Sequence, residues 1–166
     1  MIKKKICMLG SFAVGKTSLV RQFVDSIFSE KYHTSIGVKI DKKVVRVDDS
    51  EVNLILWDIH GEDEFQKIQA SYLTGTSGYF LVIDGTRSNT LAVAKELNQF
   101  TLNHIGSVPF IVLINKADLL SDWEIIDEEL DLLKEKGWEL IKTSAKTGEG
   151  VEEAFKQLAN KMLEIK

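Results

Sequence analysis

Gly10-Ser11-Phe12-Ala13-Val14-Gly15-Lys16-Thr17 reads G-x-x-x-x-G-K-T. An apolar run, Ile6 to Leu9, leads into it, and Thr17-Ser18-Leu19-Val20 can open a helix behind it. In a strand–loop–helix setting the successive backbone N–H groups of such a loop point inward and cradle a β-phosphate. Lys16 then reaches β- and γ-phosphate oxygens, and the Thr17 hydroxyl takes a place on Mg²⁺. Glycine is expected at Gly10 and Gly15 because a Cβ there would block the approach of backbone to phosphate.

Three further clusters carry chemistry. Asn115-Lys116-Ala117-Asp118 gives N-K-x-D after an apolar run. A carboxylate at Asp118 can accept hydrogen bonds from N1–H and the exocyclic amine of guanine. Adenine does not present that pair, and an unmet carboxylate would cost it binding. Asn115 can tie this loop to the phosphate loop, and the Lys116 stem can lie across a base plane. Ser144-Ala145-Lys146 offers a backbone N–H to guanine O6. Asp58-Ile59-His60-Gly61 is D-x-x-G. There Asp58 can hold Mg²⁺ through water, and the Gly61 N–H can sense a γ-phosphate. Each of these short motifs can also be an ordinary turn.

The elements that must position them alternate along the chain. Strands are expected near Ile2–Leu9, Val38–Val47, Glu51–Trp57, Tyr79–Asp84, Phe110–Asn115 and Glu139–Lys142. Helices are expected over Lys16–Ser26, Glu64–Leu73, Thr90–His104, Trp123–Lys136 and Val151–Ile165. Asp48-Asp49-Ser50 is turn chemistry too short for a crossover, so the second and third strands form an antiparallel hairpin. The remaining β-α-β alternation predicts a mostly parallel sheet with helices on both faces. Phe80-Leu81-Val82-Ile83 and Phe110-Ile111-Val112-Leu113-Ile114 read as strands buried on both sides. Ligands of such sheets bind at the carboxyl ends of the strands, where all four clusters fall.

The 166 residues suit one domain, 1–166. The net charge is −4, which argues against a nucleic-acid partner. Lys3-Lys4-Lys5 is expected to solubilise the first strand. Cys7 is the single cysteine, in an apolar strand, so a reducing cytoplasm fits. There is no signal peptide or spanning segment, and the C-terminus lacks a prenylation cysteine. No intrinsic lipid anchor is therefore expected, and a monomer is the default.

Together, G-x-x-x-x-G-K-T, a threonine/serine near residue 35, D-x-x-G, N-K-x-D and S-A-K stand in the order and close to the spacings of the Ras superfamily of small GTPases, which the chain resembles over its full length. Ser35-Ile36-Gly37-Val38, Trp57-Asp58, Gly61-x-x-x-Phe65 and Ser71-Tyr72 look most like the Rab branch. The absent prenylation site is similar to Ras-like GTPases of prokaryotes. The resemblance implies an α/β P-loop NTPase fold: a six-stranded, mostly parallel sheet with one antiparallel edge strand, flanked by five helices. It implies a GTP/GDP- and Mg²⁺-dependent switch, with switch I at about 29–38 and switch II at about 59–73.

It also implies residue roles. Phe12, Ala13, Val14, Gly15, Lys16, Thr17 and Ser18 would hold phosphates. Phe28, Asn115, Lys116, Asp118, Ser144, Ala145 and Lys146 would hold the base. Tyr32 would close over the phosphates. Thr17, Ser35 and Asp58 would serve Mg²⁺, and Ser35 and Gly61 the γ-phosphate. Lys16, Gly61, Glu62 and His60 would serve hydrolysis.

Three departures bear on rate. Glu62 stands where most members have a water-positioning glutamine. It accepts but cannot donate a hydrogen bond, and its charge repels the γ-phosphate. Phe12 replaces a small residue near the γ-phosphate. His60 replaces a small residue; read from its type alone it is a surface histidine, and it can alternatively contact the water or Glu62. No arginine lies in either switch, so any arginine finger comes from a partner. Slow hydrolysis is expected; the alternative is a hydrolysis-deficient GTP-binding scaffold. An ATP-dependent kinase would leave N-K-x-D unexplained.

Effectors are expected at a patch of Ile40, Trp57, Phe65, Ile68 and Tyr72, alongside activating and exchange proteins. Val52, Leu54 and Leu56 face the core, which turns Ile55 and Trp57 outward.

Overall fold

A computed structural model describes residues 2–28, 37–60 and 69–164. Six strands form one sheet: β1 (Ile2–Gly10), β2 (Val38–Val47), β3 (Ser50–Ile59), β4 (Gly78–Asp84), β5 (Phe110–Asn115) and β6 (Leu140–Lys142). Their order is β2-β3-β1-β4-β5-β6. Only β2 runs antiparallel, paired to β3 through the tight turn at Asp48 and Asp49. The chain goes from β1 to the β3 side first and to β4 later, so the order reverses at β1 and opens a crevice beyond its carboxyl end.

Alternation along the strands builds two cores. Ile6 and Met8 of β1 face one side, with Phe80 and Val82 of β4; Cys7 and Leu9 face the other, with Leu81 and Ile83. Helices α1 (Lys16–Asp25) and α4 (Val151–Glu164) cover the first side, where the Phe23 and Phe155 rings stack at 3.8 Å. Helices α2 (Asn89–Ile105) and α3 (Asp127–Glu135) cover the second. No helix among the described residues is long and apolar enough to cross a membrane.

Two helix expectations change. The Trp123–Lys136 helix starts only at Asp127; Ala117–Asp122 is instead a 3-10 segment. Trp123 is drawn into an extended conformation because its indole N–H donates to the Lys116 carbonyl at 2.8 Å. Glu124 then donates its N–H to the Gly85 carbonyl, and Glu129 receives the Ile126 N–H at the helix start. Of Glu64–Leu73, residues 64–68 lie outside the described residues, and Ala70–Leu73 is a 3-10 turn. Four α-helices lie among the described residues, and the fifth expected one falls in part outside them.

Candidate functional site

The Gly10 strand end, the loop from Ser11 to Gly15 and the first turn of α1 form one continuous cradle. Its glycines are required by protein atoms. A Cβ on Gly10 would lie 2.5 Å from the Val82 carbonyl oxygen, and one on Gly15 would lie 2.2 Å from Asn115 Nδ2. Sheet and Asn115 packing thus demand glycine at these two positions, in addition to any approach of a phosphate. Gly15 has φ 105°, and Ala13 has φ 61°, a left-handed conformation that costs an alanine about 1 kcal/mol. Lys16 is buried, and its ammonium donates to the Gly10 and Ser11 carbonyls at 2.8 and 3.0 Å. That bends the side chain back over the loop. Val14 is buried in the core, and Phe12 is 43% exposed.

Beside the cradle, the Thr17 hydroxyl donates to Asp58 Oδ2 at 2.7 Å. Asp58 is buried, yet its Oδ1 has no hydrogen-bond partner among the described residues. An orphaned carboxylate oxygen next to a hydroxyl is a donor set suited to a hard divalent cation such as Mg²⁺. No group of three acidic, histidine or cysteine residues that could hold a metal occurs among the described residues. His60 corrects the surface-histidine expectation. Its side chain is 9% exposed, Nε2 lies 3.5 Å from Asp58 Oδ2, and its N–H donates to the Gly37 carbonyl. Nε2 has no hydrogen-bond partner among the described residues. Tyr32, Ser35, Gly61, Glu62, Phe65 and Ile68 lie outside the described residues.

The carboxyl ends of β5 and β6 build the neighbouring cleft. Asn115 is buried and joins three segments: Nδ2 donates to the Val14 carbonyl at 3.0 Å, while Oδ1 accepts the Thr143 hydroxyl and the Ala145 N–H. The Ser144 hydroxyl donates to Asp118 Oδ1 at 2.7 Å, so one carboxylate oxygen is fixed. Gly15, Ser18, Phe28, Asn115, Lys116, Asp118, Leu119, Ala145 and Lys146 line a cavity of about 200 Å³. That is below the roughly 300–1,000 Å³ of pockets enclosing a drug-sized ligand and suits a single heterocycle. Ser144 acts one step behind the wall, through Asp118.

Several contributors escaped the sequence reading. Leu119, 41% exposed, forms part of the cleft wall. Gln22 donates to the Ala145 carbonyl at 2.8 Å and steadies that loop. Asp84, fully buried at the end of β4, accepts from Thr86, Arg87 and Lys116, the last at 2.7 Å. Burial alone would push its carboxyl up, but these donors outweigh it and hold it below the usual range. Arg87 continues from Asp84 to the Phe12 carbonyl at 2.7 Å. A D-G-T-R turn carries no motif that would have flagged this.

On the edge hairpin, Val52, Leu54 and Leu56 are fully buried, while Ile55 and Trp57 are half-buried and Ile40 is 47% exposed. The Trp57 and Tyr72 rings lie 6.4 Å apart. Lys5 does more than solubilise β1: its ammonium sits 3.6 Å over the Trp57 ring and donates to the Tyr72 and Thr74 carbonyls. Burial there holds it below the usual lysine range.

A profile of the Ras family matches residues 5–164. A GTP-binding protein Rheb homolog from Dictyostelium discoideum is 35% identical over 162 residues, covering 96% of this chain and 87% of that protein.

Proposed function

The chain belongs to the Ras family, and from that premise we propose that it is a slow guanine-nucleotide switch whose base cleft is read by Asp118 and whose phosphates lie along Ser11–Ser18. Small GTPases of this family bind GTP and GDP with Mg²⁺ and hydrolyse GTP. The observation that carries the site assignment is Asn115 joining the phosphate loop to the cleft wall through the Val14 carbonyl and the Ala145 N–H. One residue thereby sets the distance between a base and its phosphates.

In this reading Phe28 and the Lys116 stem flank the base, Asp118 accepts its N1–H and amine, and Ala145 and Lys146 close the O6 side. Ala13, Val14, Gly15, Thr17 and Ser18 contribute N–H groups to phosphate oxygens, and Lys16 brings its charge. Thr17 and Asp58, together with Ser35, would hold Mg²⁺. When bound, the ion neutralises charge developing on the β- and γ-phosphates. Gly61 and Ser35 respond to the γ-phosphate, ordering switch I (about 29–38) and switch II (about 59–73) with GTP and releasing them after hydrolysis.

Hydrolysis is slow because Glu62 can accept from the attacking water but repels the γ-phosphate, and because the Phe12 ring crowds the space in front of it. His60, beside Asp58, can orient Glu62 or water. Arg87 belongs to neither switch, so an activating partner supplies any arginine finger.

The chain is a single G domain, and a monomer. Its finer placement is the Rab-like branch, on Ile36-Gly37-Val38, Trp57-Asp58 and Ser71-Tyr72, among the Ras-like GTPases of prokaryotes. Effectors dock on Ile40, Trp57, Phe65, Ile68 and Tyr72, whose mutual packing follows both switches. The buried Cys7 thiol suits a reducing cytoplasm. The test is competition of GTP and ATP for the purified protein. GTP displacing bound nucleotide while ATP does not supports the reading; equal displacement overturns it.

A further inference from the structure

We propose that Arg87 is a positioning residue for phosphate binding: held on Asp84, it keeps the Phe12–Ala13 peptide turned so that the Ala13 N–H faces the phosphates. This rests on the nucleotide site described above.

Arg87 Nε donates to Asp84 Oδ2 at 3.0 Å, and Nη2 donates to the Phe12 carbonyl at 2.7 Å. Asp84 is itself immobilised by Thr86 and Lys116. A planar guanidinium anchored along one edge directs its other donors along fixed lines, which a lysine ammonium does not. The bond to Phe12 is charge-assisted and hence stronger than one between neutral groups.

The consequence follows from peptide geometry. The peptide is planar and trans, so the Phe12 carbonyl and the Ala13 N–H point to opposite sides. A carbonyl held toward Arg87 sends the N–H away from it. No hydrogen bond among the described residues takes that N–H. This orientation is also the strained one, because it leaves Ala13 at φ 61°. Turning the peptide over would carry φ to negative values, where alanine is relaxed, and would aim a carbonyl dipole at the phosphates. Left to itself the loop prefers the wrong orientation, and the Arg87 bond opposes that preference.

The experiment measures dissociation of GDP carrying a fluorescent ribose label from full-length protein. Arg87→Ala is expected to speed release tenfold or more. In an Ala13→Gly background, where positive φ costs nothing, adding Arg87→Ala is expected to speed release less than threefold. Arg87→Lys keeps the charge but not the two-edged grip, and it too is expected to release GDP faster. Folding of each variant is checked by circular dichroism. Equal effects of Arg87→Ala in both backgrounds, or wild-type release from Arg87→Lys, would overturn the proposal and leave Arg87 a simple charge. Wild type that binds GDP with Arg87→Ala unchanged overturns the clamp alone. Wild type that binds no guanine nucleotide overturns the site reading, and the clamp with it.

Discussion

Asn115 Nδ2 donates to the Val14 carbonyl at 3.0 Å, joining residues 101 positions apart. The same side chain accepts from Thr143 and Ala145, so its amide holds three loops with both ends. Asn115→Ala leaves the buried Val14 carbonyl and Ala145 N–H without their partner. A loss of about 1–3 kcal/mol per orphaned group is expected. Thermal melting should fall by roughly 2–4 °C per kcal/mol, and GDP should dissociate faster. An unchanged melting point would remove the amide from the account.

Gly15→Ala attacks the same junction from the other side. Its Cβ would lie 2.2 Å from Asn115 Nδ2 at a φ of 105°. The variant should lose nucleotide, measured by chromatography of denatured protein, more severely than Asn115→Ala.

Asp118→Asn tests base selection. Exchanging one carboxylate oxygen for an amine replaces an acceptor by a donor, which suits xanthine, whose C2 carries a carbonyl where guanine has an amine. GTP affinity should fall at least a hundredfold while affinity for the xanthine nucleotide rises. Because Ser144 fixes Asp118 Oδ1, the free edge of the carboxylate is set for the base.

Chelation tests the cation site. Adding EDTA should accelerate GDP release from wild type by an order of magnitude or more. Asp58→Ala should release quickly with or without EDTA. An unchanged EDTA response in the variant would exclude Asp58 from the cation's surroundings.

Two buried groups give opposite pH dependences. Asp84 is held below the usual carboxylate range, so the unfolded chain takes its proton first. Its contribution is present above the unfolded value, about 3.9, and is lost as pH falls through the lower folded value. Tyr79 is pushed up to about 12, by burial, against a smaller opposing effect of the Asn98 hydrogen bond. Its contribution is present below the unfolded value, about 10, and is lost as pH climbs toward 12. In denaturant titrations Asp84→Asn should flatten the acid limb, and Tyr79→Phe the alkaline one.

What could be read from residues alone was what neighbours in sequence determine. Strands β2 and β5 and the start of α1 fall where periodicity puts them, because each is one apolar pattern bounded by turn residues. The four motifs are contiguous, so their chemistry is visible before folding. Asp84 and Arg87 were not visible: their partners are Lys116 and Phe12, and the last bond spans 75 positions. Trp123 looked like the first residue of a helix because its tie to the Lys116 carbonyl is tertiary, not periodic. His60 looked like a surface residue because its type alone does not signal a side chain only 9% exposed beside Asp58. The packing constraint on Gly15 was likewise hidden, since Asn115 comes 100 residues later in the chain.

The most direct measurement is single-turnover hydrolysis of GTP by the Mg²⁺-loaded protein alone, with the bound nucleotide identified by chromatography. The account predicts guanine nucleotide and a measurable conversion to GDP near or below about 10⁻³ s⁻¹. Conversion near the ~5–20 s⁻¹ of activator-stimulated GTPases, or none at all with GTP firmly bound, would contradict it.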